Sequence, residues 1–182
     1  MRIIAGEFRG RRFTPPAKTP ARPTTDLAKE GLFNTLQNMM DLEGISTCDI
    51  FGGTGSISYE LVSRGAEKLT LIEADLGNIN FIKKTVEILG VADKFNIIRG
   101  DVFRFMKACT EQYDFIFAGP PYALLNIDDL PMLVFERKML KEDGIFVLEH
   151  TPRNDYQGHP NFLKMKNYGT TVFSYFTTKS EQ

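Results

Sequence analysis

The sequence predicts an α/β domain, a mostly parallel sheet closed at one edge by an antiparallel hairpin. Three observations predict it. Short apolar or β-branched runs alternate with capped helical segments from residue 24 to residue 148, the pattern of β-α-β units with right-handed crossovers. Beyond them, Phe162–Lys166 and Thr171–Phe176 alternate or are β-branched on either side of Gly169, as a hairpin does. Glycines, acids or prolines follow the strands immediately, where an open α/β sheet gathers its ligand. The 182 residues, 42% of them hydrophobic, fit one domain over residues 1–182 with a core of ordinary size.

The elements follow in order. Residues 1–23 form a basic arm. Within residues 1–22, Arg2, Arg9, Arg11, Arg12, Lys18 and Arg22 face the single acid Glu7, a net +5. The whole chain carries −1, so the other 160 residues carry −6. Gly6, Gly10, Pro15, Pro16, Pro20 and Pro23 make the arm extended or hairpin-like rather than helical. Such local charge suits phosphates, with Phe8 and Phe13 stacking on bases or packing on the domain. A helix then spans Thr24–Met40, capped by Thr24, Thr25 or Asp26, with Ala28, Leu32, Leu36 and Met39 on one face. Thr47–Phe51 is the first strand, followed by a glycine loop and a helix near Ser58–Arg64 closed by Gly65. Strand Leu69–Ile72, helix Leu76–Leu89, strand Phe95–Ile98 and a short helix around Val102–Ala108 come next. Strand Tyr113–Phe117, helix Asp128–Leu140 and strand Gly144–Leu148 complete the series before the hairpin.

Some classes are disfavoured. No run of 18 apolar residues exists, and Met1-Arg-Ile-Ile is no apolar signal region, so neither a membrane span nor export is expected. Cys48 and Cys109 show neither metal spacing nor a disulfide framework, which fits a reducing cytoplasm and no metal.

Four loops carry chemistry. Asp49-Ile-Phe-Gly-Gly-Thr-Gly-Ser56 lies between the first strand and its helix, where glycines admit a ligand to the backbone and the helix aims its first amides at an anion. It lacks the Gly-Lys-Ser/Thr of a phosphate loop, and its glycines at 52, 53 and 55 do not give a dinucleotide fingerprint. Alone it is equally a tight β-α turn. Glu73 ends the second strand, 18 residues beyond Gly55, where a carboxylate can accept both hydroxyls of a ribose. Asp101, after the third strand, can accept an adenine amino group. The fourth loop is Gly119-Pro120-Pro121-Tyr122. Two prolines fix the backbone and donate nothing, leaving rigid carbonyls at 119 and 120 beside an aromatic platform, suited to a planar base with an exocyclic NH2. The same residues also fit a turn followed by a core tyrosine. His150, at a strand end, reads as structural. Phe103, Phe105 and Met106 read as core.

With these residues in place the chain resembles class I S-adenosylmethionine-dependent methyltransferases. More closely it resembles the bacterial family that methylates the exocyclic N2 of a guanine in 16S ribosomal RNA. The resemblance rests on Met1–Arg12, Arg22-Pro-Thr-Thr-Asp26, Leu32-Phe-Asn34, Asp49–Ser56, Ser63-Arg-Gly-Ala66, Glu73, Gly100-Asp101, Pro120-Pro-Tyr122 and Tyr168-Gly-Thr. It implies a Rossmann-like, mostly parallel seven-stranded sheet with helices on both faces. It implies that S-adenosylmethionine lies along Asp49, Phe51, Gly52, Gly53, Thr54 and Gly55, with Asp49 facing its amino group, Glu73 its ribose and Asp101 its adenine. It further implies that the target base flips in beside Tyr122, that the basic arm binds RNA or the small subunit, and that the protein is a cytoplasmic monomer. One position departs. The family has Asp or Asn before Pro-Pro, and here Gly119 stands there, so slowed transfer is expected. A non-catalytic relative that binds cofactor and RNA, and methylation of another amino group on a DNA base or a protein, are the competing readings. Gly52, where the family often has Ala, is expected to be tolerated.

Overall fold

The computed structural model describes residues 1–17 and 23–178. Arg22 and Lys18, two of the expected phosphate contacts, lie outside these residues. Helix α1 spans Asp26–Met39, and the Thr25 side chain caps it by accepting from the Ala28 N–H. Strand β1 (Ser46–Ile50), α2 (Ser56–Ser63), β2 (Lys68–Glu73), α3 (Leu76–Leu89), β3 (Phe95–Arg99) and α4 (Val102–Ala108) follow. A short 3-10 turn, Ala92–Lys94, precedes β3. Then come β4 (Tyr113–Ala118), α5 (Asp129–Glu136), β5 (Leu140–His150), β6 (Phe162–Tyr168) and β7 (Thr171–Thr177).

The seven strands lie in the order β3-β2-β1-β4-β5-β7-β6. Strands β1 to β5 pair in parallel, and β7 runs antiparallel between β5 and β6. This is the mostly parallel sheet with a C-terminal hairpin that the sequence predicts. Its central parallel strands are apolar on both sides because helices cover both faces. Along β4, Phe115 and Phe117 join the core layer that holds Leu32 and Leu36 of α1, Tyr59 of α2 and Ile82 of α3. Ile116 and Ala118 point the other way, into the layer with Met106 of α4 and Val134 of α5. Strand order reverses between β1 and β4, which opens a crevice at their carboxyl ends.

Two boundaries differ from the sequence reading. Helix α5 stops at Glu136 rather than Leu140, and β5 begins at Leu140 rather than Gly144. Lys138 turns left-handed at φ 51°, and the Met139 carbonyl then accepts the Tyr113 N–H, so Met139 and Leu140 serve the pairing of β5 with β4 instead of a helix face. Phe51, read as the last residue of the first strand, is already in the turn at φ 61°.

The N-terminus is a docked hairpin. Ile3 N–H donates to Arg11 O at 3.0 Å, Gly10 N–H to Ile3 O at 2.9 Å and Phe13 N–H to Met1 O at 3.1 Å. Ile3 is buried, and Phe8 and Phe13 pack against the α1–α2 layer, so of their two expected uses the rings take the packing one. Buried polar side chains of α2 hold the hairpin. Glu60 accepts the N–H groups of Ile4 and Ala5 at 2.8 and 3.0 Å, and the Ser63 hydroxyl accepts that of Phe8 at 3.0 Å.

Candidate active site

The glycine loop is built from left-handed residues. Phe51, Gly53 and Gly55 have φ of 61°, 58° and 89°. A non-glycine residue in this region costs about 1 kcal/mol or more, so the surrounding structure must hold Phe51 in place. Its ring meets Phe103 edge-on at 6.4 Å, between the ends of β1 and α4. Phe103 is partly buried and packs against the core layer of α4 and α5, as its sequence reading has it, while its ring also meets the loop. Gly55 caps α2, and a Cβ there would fall 2.5 Å from the Tyr59 ring. A Cβ on Gly52 would fall 2.5 Å from Leu71 Cγ, so in this chain Leu71 fills the space that an alanine would need.

Asp49 sits in β1 directly under this loop, 2% exposed, and accepts a 2.7 Å hydrogen bond from the Ser58 hydroxyl of α2. Burial pushes its carboxyl up to about 7 and the Glu73 charge adds to this, while the Ser58 bond opposes. The ordinary value is 3.8. Between these two values the folded chain holds a proton that the unfolded chain has released, so stability falls as pH rises from about 4 to about 7. The gap corresponds to about 4 kcal/mol at most. Urea midpoints measured from pH 4.5 to 7.5 are expected to fall less steeply for Asp49→Asn than for the wild type. Identical slopes would mean that Asp49 ionises normally.

Glu73 ends β2. Its Oε1 accepts the Gly53 N–H at 3.1 Å and its Oε2 the Asp75 N–H at 2.6 Å. Each oxygen keeps a second lone pair, so the fixed carboxylate can still take two hydroxyl donors. The Gly100 N–H donates to Glu73 O at 3.1 Å, tying the end of β3 to it. Asp101 is exposed and caps α4 by accepting the Arg104 N–H at 2.9 Å, so one of its oxygens already has a partner. Glycine loop, Glu73 and Asp101 thus follow one another along the rim, beside the aromatic pair. This donor and acceptor set fits a nucleoside with a ribose diol and an adenine amino group.

The fourth loop leaves β4 across the strand-order reversal. Gly119 N–H donates to Ile50 O at 3.2 Å, Pro120 is buried, and Pro121 O accepts the Leu124 N–H at 3.0 Å. The Tyr122 hydroxyl lies 3.1 Å from Thr171 Oγ1, which ties the loop to the start of β7. Gly119 itself needs no left-handed backbone. A Cβ there would meet the Phe117 Cε1 at 3.0 Å, the far end of a ring that must give by a few tenths of an ångström.

The basic residues divide. Arg9, Arg11 and Arg12 are exposed on the hairpin, whereas Arg2 is tied to Asp26 at 3.1 Å. His150 is structural, its Nε2 2.7 Å from Ser174 Oγ and its Nδ1 2.7 Å from Thr151 O. His159 packs on Phe135 and Phe176, and its Nδ1 accepts the Asn161 N–H. Sequence reasoning missed a buried ionic cluster beneath the hairpin. Lys29 Nζ donates to Arg2 O at 2.6 Å and to Ser56 Oγ at 3.0 Å, and lies 3.6 Å from Glu60. A lysine on the apolar stripe of α1, one turn before Leu32 and Phe33, was the signal available. Among the described residues no cluster of potential metal ligands occurs, and no helix is long and apolar enough to cross a membrane.

The strand order and the helices on both faces of the sheet make this the class I methyltransferase fold. The family model described as Conserved hypothetical protein 95 matches residues 1–177, and the chain belongs to that family. It is 30% identical over 178 residues to the Ribosomal RNA small subunit methyltransferase D of Haemophilus influenzae, covering 96% of this chain and 91% of that protein. It is 34% identical over 153 residues to a candidate rRNA methyltransferase of Bacillus subtilis, covering 82% of each. The solved structure of a candidate methyltransferase from Escherichia coli superposes with a TM-score of 0.85 at 24% identity, covering 100% of this chain and 99% of that one.

Proposed function

We propose that this protein transfers a methyl group from S-adenosylmethionine to the exocyclic N2 of a guanine in small-subunit ribosomal RNA, as a cytoplasmic monomer. The observation that carries the reading is the convergence, on one rim, of a nucleoside-shaped acceptor set with a proline-fixed loop and a tyrosine. The names of the two curated relatives support the rRNA substrate. The exposed Arg9, Arg11 and Arg12 supply phosphate contacts, while the docked hairpin keeps them in fixed register with the rim. Arg2 sets the hairpin against α1 through Asp26, and Arg22, which adjoins Pro23 and Thr24, completes the basic set.

The residues divide the work. Glu73 takes the ribose hydroxyls, Asp101 the adenine amine and Asp49 the ammonium end. Phe51, Gly52, Gly53, Thr54 and Gly55 shape the floor. The bound cofactor supplies an electrophilic methyl on a sulfonium. Gly119, Pro120 and Pro121 offer rigid carbonyls to the target amino group, and Tyr122 stacks on the flipped base. Positioning of the two reactants lowers the barrier, and no metal or covalent nucleophile is required.

Glu73→Ala is expected to weaken S-adenosylmethionine binding about 10- to 100-fold, the loss of hydrogen bonds to a charged group. Isothermal calorimetry measures it, and unchanged affinity would remove Glu73 from the site. The reading as a whole is tested by labelled methyl transfer to small subunits lacking the modification. Gly119 favours one second reading, a relative that binds cofactor and RNA without transferring. Binding by calorimetry with no label incorporated would establish it.

A further inference from the structure

Glu149 is a buried carboxylate that the mechanism above does not use. It lies near the carboxyl end of β5, 7% exposed, and its Oε1 accepts a 3.2 Å hydrogen bond from the Thr24 hydroxyl. The register between β4 and β5 pairs Phe117 with Val147 and Ala118 with Leu148, so the next residues along, Gly119 and Glu149, come side by side. Adjacent strands lie about 4.8 Å apart. Both positions belong to the face of Phe117 and Val147, which also carries α1 and, one strand further, Asp49 paired with Phe117. Tyr122, three residues beyond Gly119, has its hydroxyl 3.1 Å from that of Thr171. The chain therefore lacks a carboxylate at 119 but holds one beside it, on the same side of the sheet and at the same height on the rim.

Resting on the guanine-N2 reading, we propose that Glu149 supplies from the neighbouring strand the negative charge that position 119 lacks, stabilising the positive charge that develops on the target amine. In the transfer the N2 lone pair forms the new N–C bond. The C–S bond breaks with its electron pair left on sulfur, so the positive charge moves from sulfur to nitrogen. N2 then releases a proton to water. A fixed carboxylate in a poorly solvated rim acts on that charge at short range, with no reorganisation at the moment of reaction.

A double-mutant cycle tests it. Glu149→Gln is isosteric, keeps an acceptor for Thr24 and removes the charge. In the Gly119 background its kcat for undermethylated small subunits is expected to fall about 10- to 100-fold. In the Gly119→Asp background, where a carboxylate stands at the site itself, the same change is expected to cost less than about threefold. A second readout needs no turnover. By calorimetry, Glu149→Gln is expected to weaken the cationic S-adenosylmethionine severalfold relative to the neutral S-adenosylhomocysteine. Equal losses in both backgrounds, carried in KM, would make Glu149 only a clasp for residues 23–25 and overturn the proposal. So would an unaltered ratio of the two affinities. If none of the four proteins transfers methyl, the methyltransferase reading falls and takes this proposal with it, whereas transfer by the wild type with no effect of Glu149→Gln overturns the proposal alone.

Discussion

Gly119→Asp is expected to raise the rate of methyl transfer about 30- to 1000-fold while leaving S-adenosylmethionine affinity within about twofold. A positioned polar group at a reaction centre is typically worth about 2–4 kcal/mol, and the resemblance drawn from the sequence implies one at position 119. The loop can take the side chain. Its backbone is not left-handed, its N–H already donates to Ile50 O, and the new Cβ meets only the end of the Phe117 ring. A carboxylate there would accept from the target NH2 and orient its lone pair towards the methyl group. The cofactor floor, formed at the ends of β1 to β3, is untouched, so the effect belongs to kcat. Gly119→Ala is the control, since it meets the same Phe117 atom without adding an acceptor. A rate that does not rise with Asp, or that rises equally with Ala, removes position 119 from the chemistry. Label incorporated into undermethylated small subunits, measured for the three proteins side by side, decides it.

The rim was legible in the sequence because each of its parts is local. An apolar run followed at once by Gly-Gly-Thr-Gly, by Glu73, by Gly100-Asp101 or by Pro-Pro-Tyr marks a strand and the loop at its carboxyl end, and the parallel pairing then brings the loops together. What stayed hidden depends on partners far along the chain. Met139 and Leu140 are apolar and follow a helix, so only the bond from Tyr113 N–H to Met139 O shows that they belong to the sheet. Phe51 has an ordinary strand residue type, and its left-handed φ follows from the turn that Gly53 and Gly55 impose. Glu149 carries no local signal, because only the register of β5 on β4 sets it beside Gly119. The N-terminal arm was legible as a charged, glycine-broken segment. Nothing local revealed that it is pinned to α2, since its acceptor, Glu60, lies more than fifty residues away.

That pinning predicts the largest loss of stability. Glu60→Ala is expected to destabilise the protein by about 3–5 kcal/mol, because the carboxylate is the shared counterpart of a buried cluster. Glu60 is fully buried, and its oxygens accept the Ile4 and Ala5 N–H groups and the Arg64 Nε at 2.9 Å, with Lys29 Nζ 3.6 Å away. Burial pulls the Lys29 ammonium down from its ordinary value while Glu60 holds it up, so removing Glu60 leaves that cation buried without its counter-charge. For a chain of this length the midpoint should drop on the order of 10 °C. Lys29→Met added to Glu60→Ala should recover part of the loss, since the uncompensated charge goes with it. The two hairpin amides would still lack their acceptor. Hydrogen exchange therefore separates the contributions: Ile4 and Ala5 should lose protection in both the single and the double variant, while α1 regains it only in the double. A Glu60→Ala protein that melts within about 2 °C of the wild type, with Ile4 and Ala5 still protected, would show that apolar packing of Ile3, Phe8 and Phe13 holds the hairpin unaided.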